Sequence, residues 1–263
     1  MPLPLPRRWT ARRTAGAALC AIALLPLLAA CGSDDEANGP GGKTQLTVLA
    51  AASLTDVFAK VGDAYEKEHP DVRVRFSFAG SQDLAAQVRQ GAPADALVTA
   101  DTKTMAGLRS DTGDPAVIAR NRLVIATGEG NPRHVKSLQD LADSDLKVVL
   151  AAPEVPVGRY SKKVLDAQHV HVQPVSQEPS VRAVLSKVKL GEADAGIVYV
   201  TDAATAEHRI DTVAIPDAQN AIASYPAATL NSSRHGAQAA AFVRWLSTAK
   251  AQKMLHNAGF QRP

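Results

Sequence analysis

Apolar positions along the chain change their period repeatedly. Residues 45–50 form a short apolar run that shrinks into Ala50, Ala51 and Ala52. From Leu54 the period is helical: Leu54, Val57, Phe58, Val61 and Tyr65 recur three or four apart and predict a helix over 54–69. Residues 72–78, VRVRFSF, alternate with period two and predict a strand with one buried face. A helix is predicted over 82–90, a strand over 94–100, and a helix over 101–110 with Asp101 as N-cap. Further strands are predicted over 122–126, 146–151, 170–175, 195–200 and 212–215, with helical runs between them. Ser137 and Asp140 have the spacing of a capping box, with Asp in place of Glu. Strands alternating with helices predict an α/β protein with mainly parallel sheets. No repeat of 20–50 residues breaks that picture.

The N-terminus has a different pattern. Residues 1–30 carry Arg7, Arg8, Arg12 and Arg13, no acid, and then a 16-residue apolar run from Ala15 to Ala30 that includes Pro26. A membrane span needs about 20 apolar residues, so the segment reads as an export signal rather than an anchor. It ends in Leu28-Ala29-Ala30-Cys31, which resembles a bacterial lipobox, a signal in which the cysteine is lipidated and becomes the first mature residue. Several acyl chains on Cys31 would hold the protein on the outer face of the cell membrane where one would not. Residues 31–43 are polar and glycine-rich and read as a flexible tether. Cys20 leaves with the signal, so no intrachain disulfide is expected.

Processing also changes the charge. The chain has 29 basic and 26 acidic residues; losing four arginines leaves 25 against 26, a net −1. No basic stripe for nucleic acid remains, and an anionic ligand would have to be held by local donors. His169 and His171 are not joined by a carboxylate or cysteine cluster, so no metal cation and no cofactor are expected. Neither Ser53 nor Ser81 lies in a G-x-S-x-G elbow, and there is no P-loop or G-x-G-x-x-G before a helix. Arg159, Lys162 and Lys163 read as a solvated helix face.

Two strand ends stand out. The first runs through small residues into Ser53 and a helix; the second, Ala79-Gly80-Ser81, does the same. Ser53, with Asp56 three residues on, has the position of an N-cap, worth about 1 kcal/mol. The alanines also clear space beside the helix start, whose free N–H groups and positive dipole end suit an anion. Gly80 permits close backbone approach. In an open parallel sheet, ligands bind beyond the carboxyl ends of the strands, so the two serines could face one small ligand.

The segments AAASLTDVF, FAGSQDLAAQV, GAPADALVTAD, VPVGRYSKKVL and GIVYVTDA, in this order between Leu46 and Phe260, resemble the molybdate-binding proteins of bacterial ABC importers. The resemblance implies a two-lobed α/β periplasmic-binding-protein clamshell, of the class with two crossover strands, closing over an oxyanion. It implies one lobe from residues 44–121 and 226–263 and another from 122–225. It implies that Ser53 and Ser81 donate through hydroxyl and backbone N–H, Val157 and Val181 through backbone N–H, and Tyr199 through its hydroxyl. The implied ligand is molybdate or tungstate, the implied partner an ABC permease, and the protein a monomer without enzymatic activity. Core packing is the plain alternative for the valines, and a buried, hydrogen-bonded phenol for Tyr199.

The chemistry of such a set is consistent. All its groups are neutral donors, and a fully deprotonated tetrahedral dianion offers only acceptors. Hydrogen phosphate brings a proton without a partner, and a buried unmatched polar group costs about 1–3 kcal/mol. Sulfate is also a bare dianion, so cavity size must separate it, whereas molybdate and tungstate are too alike in size to be told apart. Three alternatives remain on the sequence: a binder of another tetrahedral oxyanion such as sulfate, a serine hydrolase using Ser53 or Ser81, and a surface interaction protein that kept the fold alone.

Overall fold

The structure, a computed structural model, describes residues 42–263. The expected export signal, Cys31 and the tether up to residue 41 lie outside the described residues. Among the described residues nine strands occur in chain order: β1 (Thr44–Ala51), β2 (Val72–Ala79), β3 (Ala96–Val98), β4 (Ala116–Gly128), β5 (Val148–Ala151), β6 (Ser176–Glu178), β7 (Ala195–Tyr199), β8 (Ile210–Ala214) and β9 (Ile222–Thr229). The α-helices are α1 (Thr55–Glu68), α2 (Ser81–Arg89), α3 (Thr102–Ala106), α4 (Pro156–Ala167), α5 (Val181–Lys189), α6 (Val200–Ala204), α7 (Gly236–Trp245) and α8 (Ala249–Asn257).

Burial explains the patterns. Strand β1 reads as a continuous apolar run because both faces are covered: Leu46, Val48 and Ala50 enter one core cluster and Leu49 the other. Strand β2 alternates because it is an edge, with Val72 and Val74 buried and Arg73 and Arg75 exposed. Helix α1 turns Val57, Phe58, Val61 and Tyr65 inward, as their spacing predicts.

The strands are ordered β2-β1-β3-β9-β4-β7-β5-β6, with β8 added on β4. The 13-residue β4 changes partners midway: Ala116 to Arg122 pair with β9, and Leu123 to Gly128 lie between β7 and β8. Two half-sheets are thus joined through one strand. The expectation of mainly parallel pairing is corrected here. The outer pairs β1–β2, β1–β3, β5–β6 and β5–β7 are parallel, while all pairs that involve β4 or β9 are antiparallel. The reason is the route of the chain: β4 carries it out of the first half-sheet and β9 brings it back, so the two must run in opposite directions.

Two other predicted elements differ. No strand forms over 170–175; His169 adopts a left-handed φ of 53° and the edge strand β6 begins only at Ser176. Val170 and Val172 instead pack against the core as loop residues. Strand β9 has no counterpart among the predicted strands because Pro226 interrupts its pattern. The proline is accommodated opposite Val117, beside the register shift between Val117 and Ala119, and such bulges are where a sheet tolerates proline. Asp140 does accept the N–H groups of Lys136 and Ser137, at 2.7 and 2.9 Å, but the element that follows is one 3-10 turn, Gln139–Ala142, rather than an α-helix.

Candidate functional site

Each wall of the site starts at a strand end. Strand β1 leads through Ala51 into a 3-10 turn, Ala52–Leu54, that runs on into α1. Ser53 is 4% exposed. Its capping role is corrected by the structure: the residue before α1 is Leu54, and no side chain caps either helix start. The hydroxyl that closes this turn belongs to Thr55, which donates to the Ala52 carbonyl at 2.7 Å. The Ser53 hydroxyl lies instead 2.9 Å from the Tyr225 hydroxyl on β9.

Strand β2 ends in Ala79 and Gly80, and Ser81 is the first residue of α2. The Ser81 Oγ accepts the backbone N–H of Ala100 at 3.0 Å, which leaves its own proton free. A Cβ on Gly80 would lie 2.4 Å from the Pro179 carbonyl, so the glycine permits the opposite wall of the cleft to approach. Gln82 confirms that closeness by donating to the same carbonyl at 2.8 Å.

The other wall comes from the second half-sheet. Strand β5 leads to Val155, and Pro156 occupies the first turn of α4, where its missing N–H costs nothing. A Cβ on Gly158 would stand 2.1 Å from the Ala152 carbonyl; glycine there lets the helix start fold back on its strand. Strand β6 leads to Ser180, whose Oγ caps α5 by accepting the Ala183 N–H at 3.2 Å. Val157 and Val181 sit in the first turns of these helices, where backbone N–H groups have no intrahelical acceptor. Strand β7 ends in Tyr199, which is 1% exposed and whose hydroxyl has no hydrogen-bond partner.

All five predicted residues, Ser53, Ser81, Val157, Val181 and Tyr199, line one small cavity of about 10 Å³. That is far below the roughly 300–1,000 Å³ of sites for drug-sized ligands. The starts of four helices, α1 with its 3-10 turn, α2, α4 and α5, meet around it. None of its lining side chains is charged. Burial pushes the Tyr199 phenol well above its ordinary pKa, so it stays protonated. The arrangement offers hydroxyl and amide donors in a space for a small anion, and an orphaned phenol is the kind of group a ligand would satisfy.

Charge is placed just outside the cavity and is paired. Arg159 of α4 donates from Nε to Asp101 at 2.8 Å and from Nη2 to Thr104 at 2.7 Å. Asp101 also caps α3 as predicted, accepting the Thr104 N–H at 2.9 Å. Arg182 of α5 bridges Asp56 at 2.6 Å and the fully buried Asp202 at 2.5 Å. Burial raises the Asp202 carboxyl to about 6, with Arg182 pulling it down. The expected solvated face therefore fails at Arg159, which is tied to the first half-sheet, and holds at Lys162, paired with Asp166 on the exposed side of α4.

Neither serine has a histidine as hydrogen-bond partner, and no metal-holding cluster occurs among the described residues. Tyr225, which meets the Ser53 hydroxyl, and Asn121, which meets Tyr225, escaped the sequence reading as site residues. They lie 172 and 68 residues from Ser53 in the chain, and no local pattern marks them.

A family model for bacterial extracellular solute-binding proteins matches residues 46–261. The molybdate-binding protein ModA of Mycobacterium tuberculosis is 39% identical over 97% of this chain and 100% of its own. A Bacillus subtilis protein named as an ABC transporter substrate-binding lipoprotein is 30% identical over 92% of this chain and 96% of its own. The structure of the periplasmic molybdate-binding protein of Azotobacter vinelandii shares the fold, with a TM-score of 0.71, 22% identity, and coverage of 83% of this chain and 99% of the other.

Proposed function

The chain belongs to the bacterial extracellular solute-binding proteins and has their α/β periplasmic-binding-protein fold, and from that premise we propose that it captures molybdate or tungstate for an ABC importer. It is a solute-binding protein rather than an enzyme. The observation that carries the anion reading is the buried, unpartnered Tyr199 hydroxyl in a small uncharged cavity ringed by four helix starts. In this reading Ser53, Ser81 and Tyr199 donate through hydroxyls, and Ser53, Ser81, Val157 and Val181 through backbone N–H groups. Residues 44–121 and 226–263 form one lobe and 122–225 the other, with closure about β4 and β9. The relatives' names support molybdate as the ligand.

The same reading gives the protein an export signal over residues 1–30, a lipid on Cys31, a tether over 31–43, and a membrane permease as its partner, with the binder itself a monomer. The lipobox and the lipoprotein relative support the anchor. No helix among the described residues is long and apolar enough to cross a membrane. Mass spectrometry of the mature N-terminus checks it; an unlipidated Cys31 refutes it.

Calorimetry on residues 44–263 tests the ligand. Molybdate and tungstate are expected to bind about equally, and both far more tightly than sulfate or phosphate. Sulfate binding as tight as molybdate would make this a sulfate binder, and heat from none of the four would leave the cavity without its proposed ligand.

A further inference from the structure

Three hydrogen bonds behind Ser53 run in one direction. The Asn121 Oδ1 accepts the backbone N–H of Arg122 at 2.9 Å, so the other end of this amide, Nδ2, faces away as a pure donor. One Nδ2 hydrogen goes to Thr201 Oγ1 at 2.7 Å, and the other points to the Tyr225 hydroxyl at 3.4 Å. Tyr225 is fully buried, and its hydroxyl has two hydrogen-bond partners among the described residues, this donor and Ser53 Oγ at 2.9 Å. The phenol proton has one acceptor within reach, the serine oxygen. Ser53 Oγ therefore accepts from Tyr225, and its own proton is left to point elsewhere. Ser81 is set in the same way by a simpler device, the N–H of Ala100. Backbone N–H groups cannot reverse, so each serine oxygen has one lone pair engaged from behind and keeps its own proton for the cavity.

We infer that Tyr225, oriented by Asn121, is a positioning residue that sets specificity: by holding Ser53 as a donor it makes the site select fully deprotonated oxyanions over protonated ones. The inference rests on the oxyanion reading above. Without the Tyr225 hydroxyl, the Ser53 rotor is free and its oxygen can accept the proton of a hydrogen-bearing anion. Monohydrogen phosphate carries the same double charge as sulfate and is close to it in size, so between those two the proton makes the difference. Tyr199 does not offer an escape for that proton, because a phenol that accepted it would bury its own hydrogen unpaired.

The test is Tyr225→Phe, which keeps the ring against Phe260 and Tyr199. Calorimetry of the purified protein with molybdate, sulfate and phosphate is run at a pH where phosphate is the monohydrogen dianion. The molybdate-to-phosphate affinity ratio should fall about tenfold or more, while the molybdate-to-sulfate ratio stays as in wild type. A general loosening of the site would weaken all three anions together. In a Ser53→Ala background, Tyr225→Phe should no longer change the ratio, because its effect passes through that hydroxyl. Should Tyr225→Phe not fold, Asn121→Ser carries the same expected shift in its place. Wild type that binds molybdate, with an unchanged phosphate ratio in the variant, overturns this inference and leaves the ligand assignment standing. Wild type that binds none of these anions overturns the assignment, and the inference with it.

Discussion

The two walls of the cavity are built differently. The first wall, from β1 and β2, presents Ser53 and Ser81, hydroxyls whose direction is set by Tyr225 and by the Ala100 N–H. The second, from β5 and β6, presents Val157 and Val181, whose polar contribution is backbone alone. Its long polar side chains point outward: Arg159 and Arg182 reach back to Asp101 and Asp56 on the first wall. Side-chain hydroxyls thus come chiefly from the first wall, with the Tyr199 hydroxyl added from β7 of the second half-sheet, and the charged ties that join the walls start from the second. Substitution is expected to reveal the asymmetry, since a hydroxyl can be deleted and a backbone N–H cannot.

The ties give the largest expected effect. Arg182→Ala leaves Asp202 buried without its partner, and breaking a buried pair from one side costs about 3–5 kcal/mol. Denaturant unfolding without ligand measures it, and adding Asp202→Asn should recover part of the loss. If Arg182→Ala unfolds like wild type, the second wall is not held by this pair.

Deleting a hydroxyl of the first wall comes next. Ser81→Ala removes a charge-assisted donor worth roughly 1.5–3 kcal/mol, a rise of about tenfold to hundredfold in the dissociation constant for molybdate. Wild-type affinity in a calorimetric titration would take Ser81 out of the ligand shell.

The buried acid behind the second wall gives a pH effect, in which each tenfold change in proton affinity on folding is worth about 1.4 kcal/mol. Asp202 has its pKa raised in the folded protein, so between about 6 and the ordinary carboxylate value the folded state binds the proton first. The stability this group contributes therefore grows as pH falls through that window and is lost as pH rises through about 6. Thermal melts of wild type and Asp202→Asn should converge or cross in favour of wild type toward acid pH; a constant gap would show that Asp202 does not titrate there.

The smallest effect sharpens the contrast. Val157→Ala keeps the backbone N–H, so molybdate affinity should stay within about threefold of wild type even though a buried methyl pair is lost from the core. A loss as large as that of Ser81→Ala would mean that the valine side chain shapes the site.

Much of this was legible where the cause is local. Asp101 as a cap, the inward face of α1 and the alternation of β2 each follow from residues within a turn of one another. The capping role read for Ser53 was local too, and it failed because Thr55 closes that turn while the Ser53 hydroxyl has a distant partner. Strand β9 was hidden because Pro226 breaks its pattern, and only the irregular register on β4 makes room for it.

The amino-acid order by itself determined where strands give way to small residues and helix starts, and hence where amide and hydroxyl donors become available. Propensity, capping and periodicity act over a few residues, so they can be read along the chain. The folded sheet alone decided that these starts meet at one cavity, that β4 and β9 run antiparallel between its halves, and that Tyr225 and Asn121 stand behind Ser53. Those relations are between groups 68 to 172 residues apart. A hydrogen bond reaches about 3 Å, so its partners are chosen by the closing of the sheet and not by their neighbours in sequence.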